Sequence, residues 1–414
     1  LPRTIVVGAG VIGLACAYAL KKRGRDVVVL DYGPPGGACS LGNAGWVSPS
    51  ISAPIPAPGL TWTSLKWMLR SDSPLYISPS AVPSMARWLF RFWRHCNRRD
   101  FEAGLRATSE LNRHTLALFD ALEADGIKCE LHRRGILYVF CELKYLESNL
   151  AEFAHLAAVG YALPAALDGA AMRTMEPELS DQVVGGFLVE DEYHVRPETL
   201  TAGYAQRLND IGVELKIGAH ATAPLGDKTG WRGVLTSNGP VEGDEIVLAA
   251  GAWTGGLAER FGVSLPVQAG KGYSVTVPTT RGSFTRPLYL GEAKIGASPF
   301  EGAIRFAGTM ELSGINLELD PRRIQGLRHG IGRYMRRPPG PREGTEWVGM
   351  RPLTPDGLPM LGRAPGQDKL FIATGHAMLG VTLAPATGEA IAQLVTDPKA
   401  ELMYAPFAPG RFGW

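Results

Sequence analysis

The chain has 414 residues, 45% of them hydrophobic and 20% charged, which is enough to bury a large core as two or three domain equivalents. Forty-two basic and 40 acidic side chains leave a formal net charge of +2, so nothing in the overall balance favours nucleic acid or an acidic polymer as partner. Cys16, Cys39, Cys96, Cys129 and Cys141 are odd in number and form no CxxC pair, and no run approaches the roughly 18 apolar residues of a membrane span; both observations weigh against a disulfide framework, a zinc site or an integral membrane protein. With a first strand opening at Thr4, the expectation is a cytoplasmic protein without a signal peptide.

Residues 4–32, TIVVGAGVIGLACAYALKKRGRDVVVLDY, predict strand, glycine turn, helix and strand. Gly8 permits the sharp turn, Gly10 clears the approach of a pyrophosphate, and Gly13 lets the helix pack against the sheet. The helix start at Val11 and Ile12 would face the phosphates. Asp31, followed by Tyr32, ends the second apolar run where an acid can accept hydrogen bonds from an adenosine ribose. There is no second GxGxxG, so one dinucleotide is expected.

Residues 46–100 read as an insert rich in Pro, Ser and Trp, in which Trp62, Trp67, Trp88 and Trp93 lie among Lys66, Arg70, Arg87, Arg91, Arg94, Arg98 and Arg99, opposed only by Asp72 and Asp100. A helix over 86–96 would gather Trp88, Leu89, Phe92 and Trp93 beside arginines, the pattern of an interfacial amphipathic helix, so the region 62–99 is a candidate for peripheral contact with the inner face of the cell membrane. Apolar spacing predicts a helix over 102–125, and 135–140 reads as a strand. Further strands are expected at 213–217 and 245–250, the latter ending in a small-residue turn, and alternation marks 265–278 and 285–310 as antiparallel strands. A helix at 321–335 follows, then a strand at 370–374 running into a glycine turn and a helix over about 384–394.

The expected fold class is α/β with mixed α+β character: a Rossmann-like nucleotide domain interleaved with a mixed-sheet substrate domain. Residues 1–50, 181–262 and 345–414 are assigned to the first, 51–100 to the insert, and 101–180 with 263–344 to the second.

Five local sequences, VVGAGVIGLACAYAL at 6–20, SLGNAGWVSPS at 40–50, LPVQAGKGYSVTVP at 265–278, WVGMRPLTPDGLPMLGR at 347–363 and ATGHAMLGVTLAPATG at 373–388, occur in an order that resembles the FAD-dependent amine oxidoreductases of the D-amino acid oxidase superfamily, most closely the bacterial D-amino acid dehydrogenases. The resemblance implies a fold like that of glycine oxidase, with non-covalent FAD. It implies oxidative deamination or dehydrogenation of a small D-amino acid or a cyclic D-imino acid such as D-proline or hydroxy-D-proline, by hydride transfer from Cα to flavin N5, with a quinone as electron acceptor. The alternatives are a peroxide-forming oxidase of glycine, sarcosine or other amino acids, including L-substrates, or a non-catalytic electron-transfer subunit.

By the same resemblance Arg351 is the carboxylate clamp, suited by its planar fork, against the alternative of a structural ion pair with Glu346 or Asp356. Gly375, His376, Leu379 and Gly380 form a turn beside the flavin, with His376 a flavin neighbour and a candidate base. Ser40, Gly42, Asn43, Ala44 and Gly45 form a close-approach loop over the flavin and pyrophosphate. Ala250 and Gly251 pack on the dinucleotide, and Ala221 meets the adenine. Tyr273, Tyr289 and Lys294 are assigned to the substrate pocket, Lys294 standing where some relatives carry a tyrosine. His194 is read as structural.

Overall fold

In the computed structural model, which describes residues 1–59, 75–227, 230–279 and 284–413, the most apolar runs of the chain meet in one six-stranded sheet. Its order is Glu214–Ile217, Asp26–Asp31, Arg3–Val7, Glu245–Leu248, Leu370–Thr374 and Met360–Arg363, parallel except for the last pair. Both faces of the inner strands are covered, which is why Arg3–Val7, Asp26–Asp31 and Glu245–Leu248 carry unbroken runs of Val, Ile and Leu, whereas the edge strand Glu214–Ile217 alternates. Val6, Val27, Val29 and Val247 point to one side, into a core shared with helices Val11–Lys22, Pro197–Asp210 and Gly380–Thr396. Ile5, Val28, Leu30, Ile246 and Leu248 point to the other, towards helix Thr254–Arg260 and the small sheet begun by Ala221–Asp227.

A nine-stranded sheet forms the second layer. It runs Thr345–Leu353, Gln268–Pro278, Ala303–Leu312, Ile295–Phe300, Leu288–Leu290, Ile136–Phe140, Gly185–Val189 and Ala166–Asp168, with Leu75–Ile77 beside the end of Ala303–Leu312. Two of these strands correct the expected partition: Gly185–Val189 and Thr345–Leu353 were assigned to the nucleotide part, yet their backbone ladders lie in this sheet. The helix expected over 102–125 is likewise two, Arg98–Asn112 and Thr115–Ala124. Buried Asn112 donates to Ser52 Oγ at 2.9 Å and accepts from Thr115 Oγ1 at 3.0 Å, so the break is held by side-chain bonds that compete with the helical ladder.

The insert helix is Val82–His95. Trp88, expected on an interfacial face, is buried instead: it stacks on Phe92 and donates to Pro266 O at 3.0 Å, and Leu89 and Phe92 join the same cluster. Phe90 and Trp93 face outward, 57% and 56% exposed. Trp62, Trp67, Lys66, Arg70 and Asp72 lie outside the described residues. Among the described residues no helix is long and apolar enough to cross a membrane.

A short sheet of Trp46–Val47, Tyr193–Val195 and Leu131–His132 ties the layers together. His194 is structural in it, bonded to Pro299 O at 2.9 Å and stacked on His132, and burial holds its pKa down at about 4. Next to it, fully buried Glu192 accepts from the Ser50 amide and hydroxyl, and burial pushes its carboxyl up to about 7 against the pull of the Ser48 and Ser50 hydroxyls. The folded protein therefore binds this proton more tightly than the unfolded chain, so stability falls as pH rises from the ordinary glutamate range towards 7, by about 3 kcal/mol in all. Glu192→Gln removes that loss: its melting temperature should depend less on pH between 5 and 8, and should exceed that of the native protein at the alkaline end. A parallel pair of curves would show that Glu192 is ionised throughout.

Candidate active site

Strand register aligns Trp347, Ser274, Ala307, Gly296, Tyr289 and Tyr138 in one row across the large sheet, all on the face turned towards the nucleotide layer. Two residues further along, Gly272 pairs with Gly349 on the same face. The result is a trough with a floor of glycine, alanine and serine and aromatic walls, and such a floor admits a flat ring where larger side chains would fill the space. Trp46 roofs one end, its indole donating to Ser298 Oγ at 2.9 Å, so a Cβ on Gly296 would come within 2.8 Å of that ring. Trp347 lies against Gly42, where a Cβ would fall 2.1 Å from the indole. Arg305 rises from the floor to hold the carbonyls of Leu41 and Asn43, each at 3.0 Å, and pairs with Glu198.

Arg351 lies across Gly272, whose Cβ would sit 2.4 Å from the guanidinium carbon. Its Nη1 donates to Thr309 O at 2.6 Å and touches Met310 Sδ at 3.7 Å. The alternative ion pairs are taken: Glu346 pairs with Arg328 at 3.1 Å, and Asp356 with Arg411 at 2.7 Å. Among the described residues no carboxylate pairs with Arg351, and burial pulls its pKa below the usual arginine range. The nearby Cys39 thiol, pushed up to about 11 by its own burial, is no counter-ion at neutral pH. A half-buried guanidinium with no carboxylate partner among the described residues keeps donors that could meet an anion.

Three non-glycine residues have positive φ among the described residues, and all border the trough: Lys294 at 54°, Thr309 at 60° and Ala377 at 49°. For β-branched Thr309 this is a costly conformation, and the bulge it makes aims its carbonyl at Arg351. The Ala377 amide donates to Pro352 O at 2.9 Å, placing the turn from Gly375 (φ 84°) beside Arg351. Leu379 caps helix Gly380–Thr396, so its first-turn amides face the same region. His376 is corrected as a base: it is buried, its Nε2 is engaged with Thr387 Oγ1 at 2.9 Å, and burial drives its pKa to about 3, so it is neutral and a weak proton acceptor.

Tyr273 is also corrected. It points to the opposite face, 1% exposed in a core with Val275, Leu290 and Ile295, and its hydroxyl donates to Glu311 at 2.7 Å. Tyr289 does face the trough, stacked edge-on to Trp46, with Lys294 Nζ 5.6 Å from its ring centre. Although its surroundings cost Lys294 hydration, the Tyr289 hydroxyl and the fields of Glu152 and Glu292 hold its pKa above the ordinary lysine value.

At the other end, Gly8, Asp31, Ala250 and Gly375 all follow the carboxyl ends of parallel strands, the place where open α/β sheets take ligands. Gly8 has φ 116°, and a Cβ there would lie 2.4 Å from Ala249 O. Gly10 opens onto Ser40 Oγ, which accepts from the Val11 amide at 3.1 Å, with Ile12 next in the same first turn. Asp31 accepts from the amides of Ala9 and Gly33, which orient its carboxylate and leave lone pairs for a further donor. Exposed Tyr32 stands against His220, next to buried Ala221. Asn43 Oδ1 accepts from the Gly45 amide at 2.7 Å across Ala44, and Gly45 lies so close to Val195 O that a Cβ would be 2.0 Å away. Thr374 Oγ1 holds Gly251 O at 2.8 Å.

The side chains Trp46, Trp347, Ser274 and Thr309 were not singled out from sequence. Ser274 Oγ and Thr309 Oγ1 are buried without hydrogen-bond partners, two polar orphans around one trough. Such atoms call for a bound polar group, and a ring system carrying carbonyls and ring nitrogens, attached to a pyrophosphate and adenosine, fits the donors, the floor and the glycine cradle together.

Residues 3–394 match the family model described as FAD dependent oxidoreductase. The chain is 32% identical over 422 residues to a D-amino acid dehydrogenase of Sinorhizobium medicae, covering 99% of this chain and all of that one, and 33% identical over 421 residues to one of Methylobacterium, covering 99% of each. Among solved structures, glycine oxidase from Geobacillus kaustophilus superposes with a TM-score of 0.76 at 23% identity over 99% of each chain. L-proline dehydrogenase from P. horikoshii gives 0.74 at 18% identity, over 100% of this chain and 98% of that one. By this match over nearly its whole length, the chain belongs to the FAD dependent oxidoreductase family of the D-amino acid oxidase type, and FAD is its cofactor.

Proposed function

We propose that the protein is a D-amino acid dehydrogenase that oxidises small D-amino acids or cyclic D-imino acids, D-proline and hydroxy-D-proline among them, and passes the electrons to a quinone. The observation that carries this reading is Arg351, a cation with no carboxylate partner among the described residues, laid flat over the glycine floor of the trough. Bound FAD supplies the two-electron oxidation. Arg351 would take the substrate carboxylate in its fork, and Thr309 O, which occupies one N–H, keeps the fork from turning. Trp46, Tyr289 and Trp347 enclose the remaining space and limit water. Neutral, buried His376 takes no proton, so the substrate amine must be deprotonated before it reacts. The names of the full-length relatives support D-handedness.

The quinone and a peripheral membrane site are supported by helix Val82–His95. Exposed Phe90 and Trp93 pair at 5.9 Å beside Arg87, Arg91 and Arg94, none of which has a carboxylate partner among the described residues, so the helix offers anchors and positive charge to an anionic lipid surface. The FAD is read as non-covalent, and acid precipitation should release the yellow colour.

The test is anaerobic bleaching of the flavin by D-alanine, D-proline, hydroxy-D-proline, their L-enantiomers and glycine, followed by air or a quinone analogue. Fast bleaching by D-substrates with fast recovery only on quinone is expected. Bleaching by L-substrates or glycine, or peroxide formed rapidly in air, would overturn the handedness or the acceptor.

A further inference from the structure

We infer that Lys294 is a second anion-binding group of the trough, which selects amino acids whose side chain ends in a carboxylate. This rests on the amino acid oxidation proposed above and names a substrate class for the same site. Arg351 reaches across Gly272 to the strand Ala303–Leu312, where it meets Thr309 O. Lys294 Nζ lies over Tyr289, on the strand Leu288–Leu290, which is two strands further across the sheet. The two cations therefore stand on different strands of one floor, and a ligand that meets both must carry an anionic group at each end.

The floor between the two cations agrees with such an occupant. Ala307, on the strand between them, adds no long side chain to the span, and Thr309 Oγ1 is buried beside Arg351 with no partner. Among the described residues no carboxylate lies within ion-pair distance of Lys294, and Glu152 and Glu292 act on it only through their longer-range fields. Glu292, its neighbour in sequence, is committed elsewhere, accepting from the amides of Cys141 and Glu142 at 2.8 Å each and from Tyr334. The backbone points the same way. Lys294 has φ 54°, a conformation that glycine or asparagine adopts at less cost, so the turn itself gives no reason for lysine. The Tyr289 hydroxyl, on the ring beneath Lys294 Nζ, provides a second donor for the same carboxylate.

The experiment uses the holoenzyme and the shift of flavin absorbance on adding unreactive succinate, glutarate or butyrate. Binding of the dicarboxylates about tenfold or more tighter than butyrate is expected, with that preference lost in Lys294→Met and largely kept in Lys294→Arg. Equal affinities in the native protein, or a preference untouched in Lys294→Met, would overturn the inference. The ratio of kcat/KM for D-glutamate over D-alanine should fall in Lys294→Met in step with the loss of dicarboxylate binding. Should succinate bind selectively while no amino acid bleaches the flavin, the proposed activity fails and the role of Lys294 stands.

Discussion

Lysine in place of Arg351 is expected to leave FAD bound while lowering the second-order rate constant of flavin reduction by amino acids about 10²- to 10⁴-fold, the equivalent of losing one or two charge-assisted hydrogen bonds. The geometry sets this scale. The guanidinium lies against Gly272, fixes one N–H on Thr309 O and has the rest of its fork free for a ligand. An ammonium group keeps the charge but offers neither the planar face that rests on Gly272 nor two parallel donors, so it could satisfy Thr309 O or the substrate, not both in register. Because Glu346 and Asp356 are occupied by Arg328 and Arg411, the substitution breaks no structural ion pair, and the melting temperature should barely move. Stopped-flow reduction under argon measures the rate, and unchanged kinetics would remove Arg351 from the substrate site.

Alanine at Gly13 should abolish FAD retention. A Cβ there would lie 1.8 Å from Gly8 O and 2.9 Å from Gly8 C, contacts with backbone that no rotamer change can relieve. Helix Val11–Lys22 would have to move off the first strand, and its other side is closed as well, because Gly388 brings helix Gly380–Thr396 within 2.5 Å of Ala15 O, measured from a Cβ position. A shift of the helix start displaces the amides at Val11 and Ile12 from Ser40 and from the phosphates they would hold. Overpacking of this kind costs about 1–3 kcal/mol or more, and the purified variant should be colourless, with a lowered melting temperature. Yellow protein at native stoichiometry would show that the helix can retreat without losing the site.

The nucleotide end was the more legible part because its constraints are local. Gly8, Gly10, Gly13 and Asp31 fall within one strand–turn–helix–strand unit, and their spacing is dictated by that unit alone. The trough is built from register, which no local pattern contains. Tyr273 and Gly272 are neighbours in sequence but lie on opposite faces, and only the ladder with Thr345–Leu353 shows that Gly272 shares its face with Arg351. Alternation within the segment at 268–278 could have separated Tyr273 from Gly272 and Ser274, but not said which set faces the cofactor. The boundaries near 185 and 345 failed for a related reason: the strands there are as apolar as those of the nucleotide sheet, and pairing partners rather than composition decide which layer they join. Trp88 shows the limit of a helical wheel, since a neighbouring carbonyl, Pro266 O, made burial of the indole favourable.

The six-stranded sheet also sets an order of events during synthesis. Its central strand Arg3–Val7 gains its second neighbour only with Glu245–Leu248, and that strand gains its own only with Leu370–Thr374. A nascent chain therefore carries an incomplete, edge-exposed sheet until residues 370–374 have been made, and contacts so distant along the sequence form slowly. The cofactor pocket is complete only once the turn at Gly375 and the helix after it have joined the first strands, so FAD would be captured by segments already brought together from far apart in the sequence rather than template the first strand–turn–helix unit.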